Sequence, residues 1–405
     1  MLSQDALENL VQPIIDRQEA INVYILQKIA KRVKEIGEVL PSDVYKLQQL
    51  LRSGADVREI NKFLAQMTSL QVADIKRIIR IIALDAYIDA RPFFDYRRKP
   101  YIAFEKNKHL QNIVKAMEKV TAGSYVNLSN SKATGFLIRD LKNPSQLVFR
   151  PISDTYYSVI DEAVQATQQG TIDYSTAMRR TMKQLVDSGV RRLSWDSGYT
   201  QRLDTAVRRN VLDGVRAVNQ GVQDEVGKQF GADGKEITVH ANSAPDHEPV
   251  QGRQFTNEEF EKLQNAEPFK DVNGKSYQAI KRAIGTLNCR HFTYSIIVGV
   301  SKPIYSEAQL KEFAEKNAKG YTLSNGKHLT MYECTQKQRQ METEIRRLKD
   351  GQITAREAGD TELAKEYQAK INQKTAQYKA FSNACGLSVK TTKMTVAGYR
   401  KIGTK

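Results

Sequence analysis

Apolar residues recur at helical spacing through the first hundred positions of the chain. Leu7, Val11 and Ile14 stand three or four residues apart with polar residues between them, which places them on one side of a helix. The stretch from Val72 to Ile88 is apolar on more than one side. We therefore expect a helical N-terminal region in which residues 72–88 form a central helix buried by its neighbours.

The segment that follows Pro92 loses this spacing and becomes strongly basic, with aromatic residues interleaved, as in YRRKPYIAFEKNKH. Aromatic residues among cations can stack on bases. More often they pack on their own domain and leave the cations in water. The cations singled out here as candidate contacts to nucleic acid or a protein partner are Arg97, Arg98 and Lys99. The small, polar residues 119–135 then predict a loop or mobile arm.

A continuous apolar stripe predicts one long helix from about Thr200 to Phe230. Its members are Leu203, Val207, Val211, Val215, Val218, Val222 and Val226. Another side of this helix would carry a row of arginines, namely Arg202, Arg208, Arg209 and Arg216. Such a row can meet phosphates or an acidic partner. It can equally pair with the acidic residues of the same helix, which are Asp204, Asp213 and Asp224.

The spacing of apolar residues changes from helical to alternating after Gly234. Ile237, Val239 and Ala241 alternate as in a strand. Residues 292–300 are rich in β-branched and aromatic side chains, which favour a second strand. Residues near 235–300 therefore predict a small α+β unit.

Helical spacing returns after Ser306. Two highly charged helices, around residues 335–349 and 361–381, each carry a narrow apolar seam. The seam residues are Met341, Ile345, Leu348, Leu363, Tyr367, Ile371 and Tyr378. Two such seams predict an antiparallel helical hairpin that projects from the body of the protein.

These patterns together predict a mainly α fold in three parts. We expect a helical N-terminal region with a basic loop over residues 1–150 and a small α+β central module over residues 151–305. A charged C-terminal helical hairpin with a basic tail would occupy residues 306–405. A chain of 405 residues is long enough for two or three domains.

Charge adds a candidate partner. Lysine and arginine number 62 against 46 acidic residues, and the formal net charge of +16 would attract a polyanion such as nucleic acid. The three cysteines are too few and too scattered for a disulfide framework, which favours a reducing compartment. We find no secretory signal and no apolar run long enough to span a bilayer, so we expect a soluble protein made in the cytoplasm.

Three of the five histidines and one of the three cysteines gather in a short region. Zinc prefers imidazole and thiolate ligands, so His240, His247, Cys289 and His291 form a candidate zinc site. Cys289 and His291 are two residues apart, which on an extended segment turns both side chains to one face. Their spacing is unlike that of a familiar zinc finger. Two other interpretations stay open: a Cys–His nucleophile pair, and a polar turn that serves structure alone.

Catalytic signatures are missing from the sequence. It contains no Walker-type loop, no dinucleotide-binding glycine motif, no nucleophile elbow and no H-E-x-x-H motif. We therefore expect a protein that is not an enzyme. The competing hypothesis is a metal-dependent nuclease or a Cys–His hydrolase that uses the same four residues. An open coordination position for water would favour it, whereas four protein ligands would favour a structural site.

An arginine-bearing helix, a strand, and the segments APDHEPVQGRQF and NCRHFTYSIIVGVSKPIYS follow one another along the chain. With this succession, residues 190–350 resemble the phage minor capsid proteins of the minor capsid protein 2 type and, more broadly, the Mu F-like head morphogenesis family of tailed phages. Gly252 and Phe255 match the end of the family's middle segment. Cys289-Arg290-His291 matches its closing element, so residues 151–305 are similar to the Mu F-like module.

The sequence departs from the broader family at two metal-binding positions. Ala244 stands where that family has a cysteine, and Thr286 stands where a histidine commonly precedes the closing element. His247 falls where a cysteine is frequent. A metal would therefore need His240 to complete its ligands.

The resemblance implies a virion protein made late in infection and present in few copies. Such a protein sits inside the head near the portal and assists head assembly, DNA packaging or DNA ejection. Its expected partners are portal and capsid proteins, with non-specific contact to double-stranded DNA. A bound metal would be a structural zinc that stabilises the small central module.

Overall fold

Two long helices open the chain in the computed structural model of the protein. The structure describes residues 4–37, 54–130, 132–140, 143, 145–169, 174–193, 199–286, 289 and 291–403. Helix α1 spans Gln4–Gly37 and helix α2 spans Ala55–Asp89. Both bury apolar residues at helical spacing, among them Leu7, Val11 and Ile14 in α1. The helical character expected of the N-terminal region is confirmed.

The apolar stretch 72–88 lies within α2, but its neighbours do not bury it all round. Ile79 and Ile82 are buried, whereas Ile81 and Ile88 are 40% and 53% exposed. The expectation of a fully buried central helix was wrong. The segment is the second half of an amphipathic helix that keeps part of its apolar surface in contact with solvent.

The remaining helices and strands follow in chain order. Those before residue 203 are α3 Arg91–Tyr96, a 3-10 turn Phe104–Lys106, α4 Lys108–Leu128, β1 Thr134–Arg139, β2 Leu147–Pro151, α5 Ile152–Gln169, α6 Tyr174–Ser188, β3 Arg191–Leu193 and β4 Thr200–Arg202. Those of the central region are α7 Leu203–Gln229, β5 Gly234–Ile237, β6 Gln254–Thr256, α8 Asn257–Gln264, β7 Phe269–Lys270, β8 Ser276–Tyr277 and β9 Thr293–Ile296. The last are α9 Glu307–Lys319, β10 Tyr321–Thr322, β11 His328–Leu329, α10 Met331–Glu357, α11 Thr361–Ala384 and a 3-10 turn Thr391–Met394. Helices predominate, as the sequence predicts.

A four-stranded antiparallel sheet with the order β2-β1-β3-β4 was missed from the sequence. Helices α5 and α6 pack on β1, and most of that strand is buried. A strand buried in this way loses the apolar–polar alternation that identifies a half-exposed strand.

Residues 119–135 do not form the expected loop or mobile arm. Helix α4 continues through them to Leu128, and β1 begins at Thr134. Thr121 of this segment lies where α4 passes close to α7, because a Cβ on Gly214 of α7 would lie only 2.3 Å from Thr121 Oγ1. The small residues of the segment are therefore compatible with a helix, and the close approach depends on Gly214 of α7.

The predicted valine-striped helix and the small α+β unit are both present. Helix α7 buries the whole stripe, and Val207, Val211 and Val215 are completely inaccessible. Strands β5, β6 and β9 form a three-stranded antiparallel sheet in the order β6-β5-β9. Its core includes Phe255 and Leu263, which belong to β6 and α8.

The C-terminal helices form the predicted hairpin. Seam residues of α10 and α11 pack together, for example Ile345 against Tyr378. The hairpin does not project freely, which corrects that part of the expectation. Asn22 of α1 donates a hydrogen bond to Asp350 Oδ2 of α10 at 2.9 Å. Val23 of α1 packs with Ile353 of α10, so the hairpin uses α1 as part of its own core.

Contacts between Cα atoms divide the chain into two compact units. Unit 1 contains residues 1–11, 73–124 and 209–337, and unit 2 contains residues 12–72, 125–208 and 338–405. Each unit therefore draws on three separate stretches of chain. Among the described residues, none of the helices combines the length and the apolar character needed to cross a membrane.

Candidate metal centre

The predicted His/Cys group lies at one end of the β6-β5-β9 sheet in unit 1. Strands β5 and β9 run antiparallel with Ile237 opposite Thr293, so the residues after β5 and those before β9 meet at the same end. Two hydrogen bonds between Thr238 and Phe292 extend this pairing by one residue. Phe292 N–H donates to the side-chain Oγ1 of Thr238 at 2.9 Å, and Thr238 N–H donates to Phe292 O at 2.9 Å. Strand pairing thus joins the two segments that carry the predicted ligands.

The connection between β5 and β6, residues 238–253, brings His247 to the same end of the sheet. His247 N–H donates to Ala244 O at 2.9 Å in a turn within this connection. The turn closes at Gly252, whose N–H donates to Ile237 O at 2.8 Å and whose φ is +69°. A Cβ there would lie 2.5 Å from Leu310 Cδ2. The expectation that Gly252 holds backbone angles closed to other residues is confirmed.

Three of the four predicted ligands converge. Cys289 Sγ lies 3.3 Å from His247 Nδ1 and 3.4 Å from His291 Nδ1. All three side chains are buried, and their candidate ligand atoms lie within 4.8 Å of one another. The fourth residue, His240, is half-buried, and its ring centroid lies 4.7 Å from that of His291. His240 borders the three converging residues and is not one of them. Arg290, between two of the ligands in sequence, lies outside the described residues.

The Nε2 atom of each buried histidine ring lies beside an oxygen that can accept a hydrogen bond from it. His247 Nε2 lies 2.8 Å from Arg282 O, and His291 Nε2 lies 3.3 Å from Gln251 Oε1. A main-chain carbonyl accepts only, so Nε2 of His247 carries a proton that it donates, and Nδ1 of the neutral ring presents its lone pair to the sulfur. One thiol proton can bridge only one of the two Sγ···Nδ1 contacts. The second Nδ1 and the sulfur then face each other with lone pairs only, and a metal cation bound between them would accept both.

Burial and mutual contact set the protonation of these side chains. Burial alone would lower the pKa of His247, but the hydrogen bond and charge of Cys289 outweigh it, and the pKa is raised. Burial alone would raise the pKa of the Cys289 thiol, but contact with His247 outweighs it, and the pKa is lowered. Burial, followed by the influence of His240 and His247, lowers the pKa of His291 to about 2, so this ring is neutral. A readily formed thiolate beside a neutral imidazole suits metal binding.

The donor atoms fit the dimensions of a zinc ion. Zn–S bonds of about 2.3 Å and Zn–N bonds of about 2.0 Å at tetrahedral angles place sulfur and nitrogen ligands about 3.5 Å apart. The two Sγ···Nδ1 distances are 3.3 Å and 3.4 Å. His247, Cys289 and His291 would therefore hold the metal, and His240 stays the predicted fourth ligand.

The same residues are less well arranged as a nucleophile pair. Cys289 is only 4% exposed, so its sulfur offers little surface to a substrate. His247 Nε2 is 2.8 Å from the main-chain oxygen of Arg282, while its distance to Asp246 Oδ2 is 3.8 Å. In nucleophile–base–orienter arrangements, hydrogen-bond distances of about 2.6–3.2 Å connect the three groups. Here the carboxylate that could orient the histidine lies beyond that range and instead pairs with Arg282 at 2.5 Å.

The cations of the basic segment lie next to aromatic residues that pack on one another. Tyr87 stacks on Tyr101 with ring centroids 4.7 Å apart, and Phe94 packs edge-on against Tyr101 at 5.4 Å. This packing matches the interpretation in which aromatic residues serve their own domain. Arg97, Arg98 and Lys99 are exposed beside it, and we call these three residues the basic ledge. Lys99 Nζ also lies 5.0 Å from the Phe230 ring centroid.

The predicted arginine row is not an exposed helix face. Arg202 lies in β4, before α7 begins, and its side chain is 12% exposed beside Asp204. Arg216 is buried and donates to Asp213 Oδ1 at 3.3 Å. The Arg216 pair agrees with the interpretation in which the arginines pair with acids of their own helix, whereas Arg202 reaches from β4 to Asp204 at the start of α7. Arg208 and Arg209 are half-buried. The third acid, Asp224, pairs with Lys235 and not with an arginine.

Sequence reasoning missed two sets of residues. Gln251, which contacts His291, gives no sequence signal beyond its place next to Gly252. The second set is a buried group of charged side chains in unit 2, to which Glu19 belongs. One signal was available, because Glu19 and Asn22 occupy positions on α1 that helical spacing from Ile15 assigns to the apolar face.

Comparisons with known proteins were made at three levels. Neither the curated proteins nor the solved structures contain a match to this chain. The family model described as Phage minor capsid protein 2 matches residues 2–383, which is nearly the whole chain. The chain therefore belongs to the phage minor capsid protein 2 family.

Proposed function

We propose that the protein is a structural component inside the phage head near the portal, where it docks on portal and capsid proteins and touches packaged DNA without reading its sequence. The observation that carries the proposal is the family match over residues 2–383. Burial of the three converging side chains supports a structural role, because a substrate could hardly reach a metal held there, and His240 as the fourth ligand would close the coordination sphere.

The basic ledge supports contact with DNA. Its three cations are exposed, while the aromatic packing of Tyr87, Phe94 and Tyr101 fixes the backbone that carries them. Cations held in place lose little conformational freedom when they meet phosphates. Neutralising phosphates releases counterions, so binding of this kind depends on salt and not on base sequence.

The DNA contact is tested with the triple variant R97Q/R98N/K99Q, in which Asn at position 98 suits the φ of 51° found there. Each lost phosphate contact should reduce the slope of log K against log salt by about 0.9. We expect the slope for a random duplex, measured by fluorescence anisotropy, to fall by about 2 to 3.

The matched control for this experiment removes three exposed lysines from α9, as K311Q/K316Q/K319Q. It changes the net charge equally and lies in the same unit. An equal loss of slope in both variants would show that only overall charge matters and would remove the ledge from the proposal.

The His/Cys group supports a structural zinc. The α+β module that it closes has a small core and short strands, and a metal that joins the turn, β5 and β9 would restrain all three. We expect about one zinc per chain in purified protein, measured by inductively coupled plasma mass spectrometry. The C289S variant should lose that zinc, and its Tm should fall because the free energy of metal binding no longer adds to folding.

Cys334→Ser is the control, since Cys334 is equally buried in unit 1 and lies outside the group. It should keep its zinc. Metal-free wild type with unchanged Tm would contradict the zinc proposal. Metal-dependent cleavage of DNA that C289S lacks and C334S retains would favour the nuclease hypothesis instead.

The location is tested on assembled heads. A protein inside the capsid should resist an added protease in DNA-filled particles and become accessible once the heads are opened by chelation or heat. Cross-linking followed by mass spectrometry should return peptides of the portal. Cleavage in intact, filled heads would place the protein on the outside and contradict the proposal.

A further inference from the structure

Five charged side chains lie together in unit 2 and are almost entirely buried. They come from four elements: Glu19 from α1, Arg202 from β4, Asp204 from α7, and Arg346 and Asp350 from α10. The carboxylates of Glu19, Asp204 and Asp350 belong to residues that are 2%, 6% and 1% exposed. We call this set the charged cluster.

The two guanidinium groups bridge the three acids. Arg346 lies 3.2 Å from Glu19 Oε1 and 3.3 Å from Asp204 Oδ2. Arg202 lies 3.2 Å from Asp204 Oδ1, and its more distant acids are Glu19 at 3.7 Å and Asp350 at 3.9 Å. Asp204 therefore has both arginines within 3.3 Å, whereas Glu19 has one arginine at 3.2 Å and the other at 3.7 Å, and the Arg202–Asp350 distance is 3.9 Å.

The cluster contains one more acid than base. Two arginines neutralise two carboxylates, and a third carboxylate would be a buried charge without a counterion, which costs several kcal/mol by general estimate. Both oxygens of Glu19 and Oδ1 of Asp350 are buried, and none of the described residues donates a hydrogen bond to them. Such oxygens suit the neutral carboxylic acid better than the carboxylate.

We propose that the charged cluster binds one proton, shared between Glu19 and Asp350, and that this proton fastens the C-terminal hairpin to α1. Release of the proton leaves an unbalanced carboxylate between α1 and α10 and loosens the hairpin. The hairpin then responds to pH through carboxylates of the charged cluster and not through a histidine.

The pKa shifts of the three acids agree with one proton bound by the charged cluster. Burial, followed by the charge of Asp204, raises the pKa of Glu19 to about 8. Burial also raises the pKa of Asp350 to about 7. Burial alone would raise the pKa of Asp204 as well, but Arg202 and Arg346 outweigh it and lower the pKa to about 2. Asp204 is therefore the ionised member, and the other two acids share the proton.

The sign of the pH dependence follows from these shifts. Between about pH 4.5, where an unfolded glutamate loses its proton, and pH 8, the folded cluster holds a proton that the unfolded chain has released. The extra stability is fully present below that window and is lost as pH rises through it. The folding equilibrium constant should fall by up to about tenfold per pH unit there.

Other charged groups near the cluster do not supply this behaviour. Arg191 lies opposite Arg202 across β3 and β4, and it influences Arg202 and Asp204 but not the two proton-sharing acids. Glu342 of α10 has a pKa raised by burial, accepts a hydrogen bond from Tyr378 at 2.9 Å and feels the charge of Arg346, but it is not among the groups that shift the pKa of Glu19 or Asp350. All five histidines of the chain lie in unit 1.

Infrared spectroscopy and hydrogen exchange on the full-length protein test the proposal. At pH 6 a protonated carboxylic acid should give its carbonyl stretch, and the band should disappear as pH is raised to 9. Between pH 6 and about pH 8, exchange of α10 peptides near Arg346, corrected for the intrinsic rate, should speed up by up to about tenfold per pH unit, and the corrected rate should level off above pH 8.

Charge balance predicts a distinctive variant series. E19Q and D350N each leave two acids on two arginines, so each should abolish the infrared band and flatten the pH dependence of α10 exchange. The double variant E19Q/D350N leaves one arginine unbalanced and should be less stable than either single variant. D16N, an exposed residue on α1, should behave as wild type.

Two results would overturn the proposal. One is wild-type exchange in α10 that does not change between pH 6 and 9, and the other is an infrared band that survives in both single variants. If E19Q fails to fold, the wild-type and D350N measurements still decide the question.

Discussion

Gln251 shows how a residue that is not itself a predicted ligand can determine the geometry of the metal centre. Its side-chain oxygen lies 3.0 Å from the main-chain nitrogen of His240, which donates to it, and 3.3 Å from His291 Nε2. The residue is 4% exposed. It therefore fixes the orientation of the His291 ring and the path of the chain at His240.

We predict that Q251L weakens zinc binding by about 10- to 100-fold, because the His291 ring loses the acceptor that orients it. Q251E keeps an oxygen at this position and should retain most of the affinity. Competition with a chromophoric chelator measures both. Equal zinc affinity in Q251L and wild type would show that the ring is held by packing alone.

Residue types were easier to predict than residue partners. His247, Cys289 and His291 were found because imidazole and thiol groups are scarce in this sequence and their chemistry is specific. Gln251 was missed because a glutamine has no such specificity. Arg202 was assigned to a helix face because a heptad spacing continues through it, although α7 begins only at Leu203.

Among the helices, α4 and α7 make a contact that depends on glycine. A Cβ at Gly214 would lie 2.3 Å from Thr121 Oγ1 and 2.6 Å from its Cγ2. Asn210 of α7 donates a hydrogen bond to Thr121 O at 3.0 Å in the same contact. Two helices can approach this closely only where one of them lacks a side chain.

Two alanine substitutions at helical glycines should therefore have opposite effects. G123A in α4 places its Cβ in open space and should raise the free energy of unfolding by about 0.5–1 kcal/mol through helix propensity. G214A gains the same propensity but meets Thr121, and it should lower the free energy of unfolding by about 1–3 kcal/mol. Chemical denaturation measures both.

The double variant T121A/G214A removes the overlapping Oγ1 and Cγ2 atoms and should recover part of the loss. The recovery, obtained from a double-mutant cycle, gives the coupling between the two positions. If G214A proves as stabilising as G123A, the two helices are not in close contact at this point.

At the scale of elements, long periodic segments were predictable and short strands were not. The stripe of α7 and the seams of α10 and α11 were confirmed because each spans several helical turns. Strand β1, with only six residues and little exposure, offers no alternation to detect. The small residues of α4 were misread because the sequence alone does not reveal which helix they contact.

At the scale of the whole molecule, the order of the chain and the grouping of its contacts differ. The sequence suggested three consecutive parts, divided after residues 150 and 305, and that division stays a prediction. Each compact unit instead combines three stretches that are distant in sequence. Such long-range pairing depends on tertiary contacts, which local periodicity cannot reveal.

The charged cluster illustrates what this organisation means for biosynthesis. Glu19 leaves the ribosome more than three hundred residues before Arg346, which bridges it to Asp204. Domains made of consecutive residues can fold while translation continues. Unit 2 has no such option, because residues 338–405 belong to it together with residues 12–72. The surface of α1 that packs on α10 must therefore stay uncovered until residues 338–405 have been made, and a chain that stops before them would present that surface to chaperones and proteases.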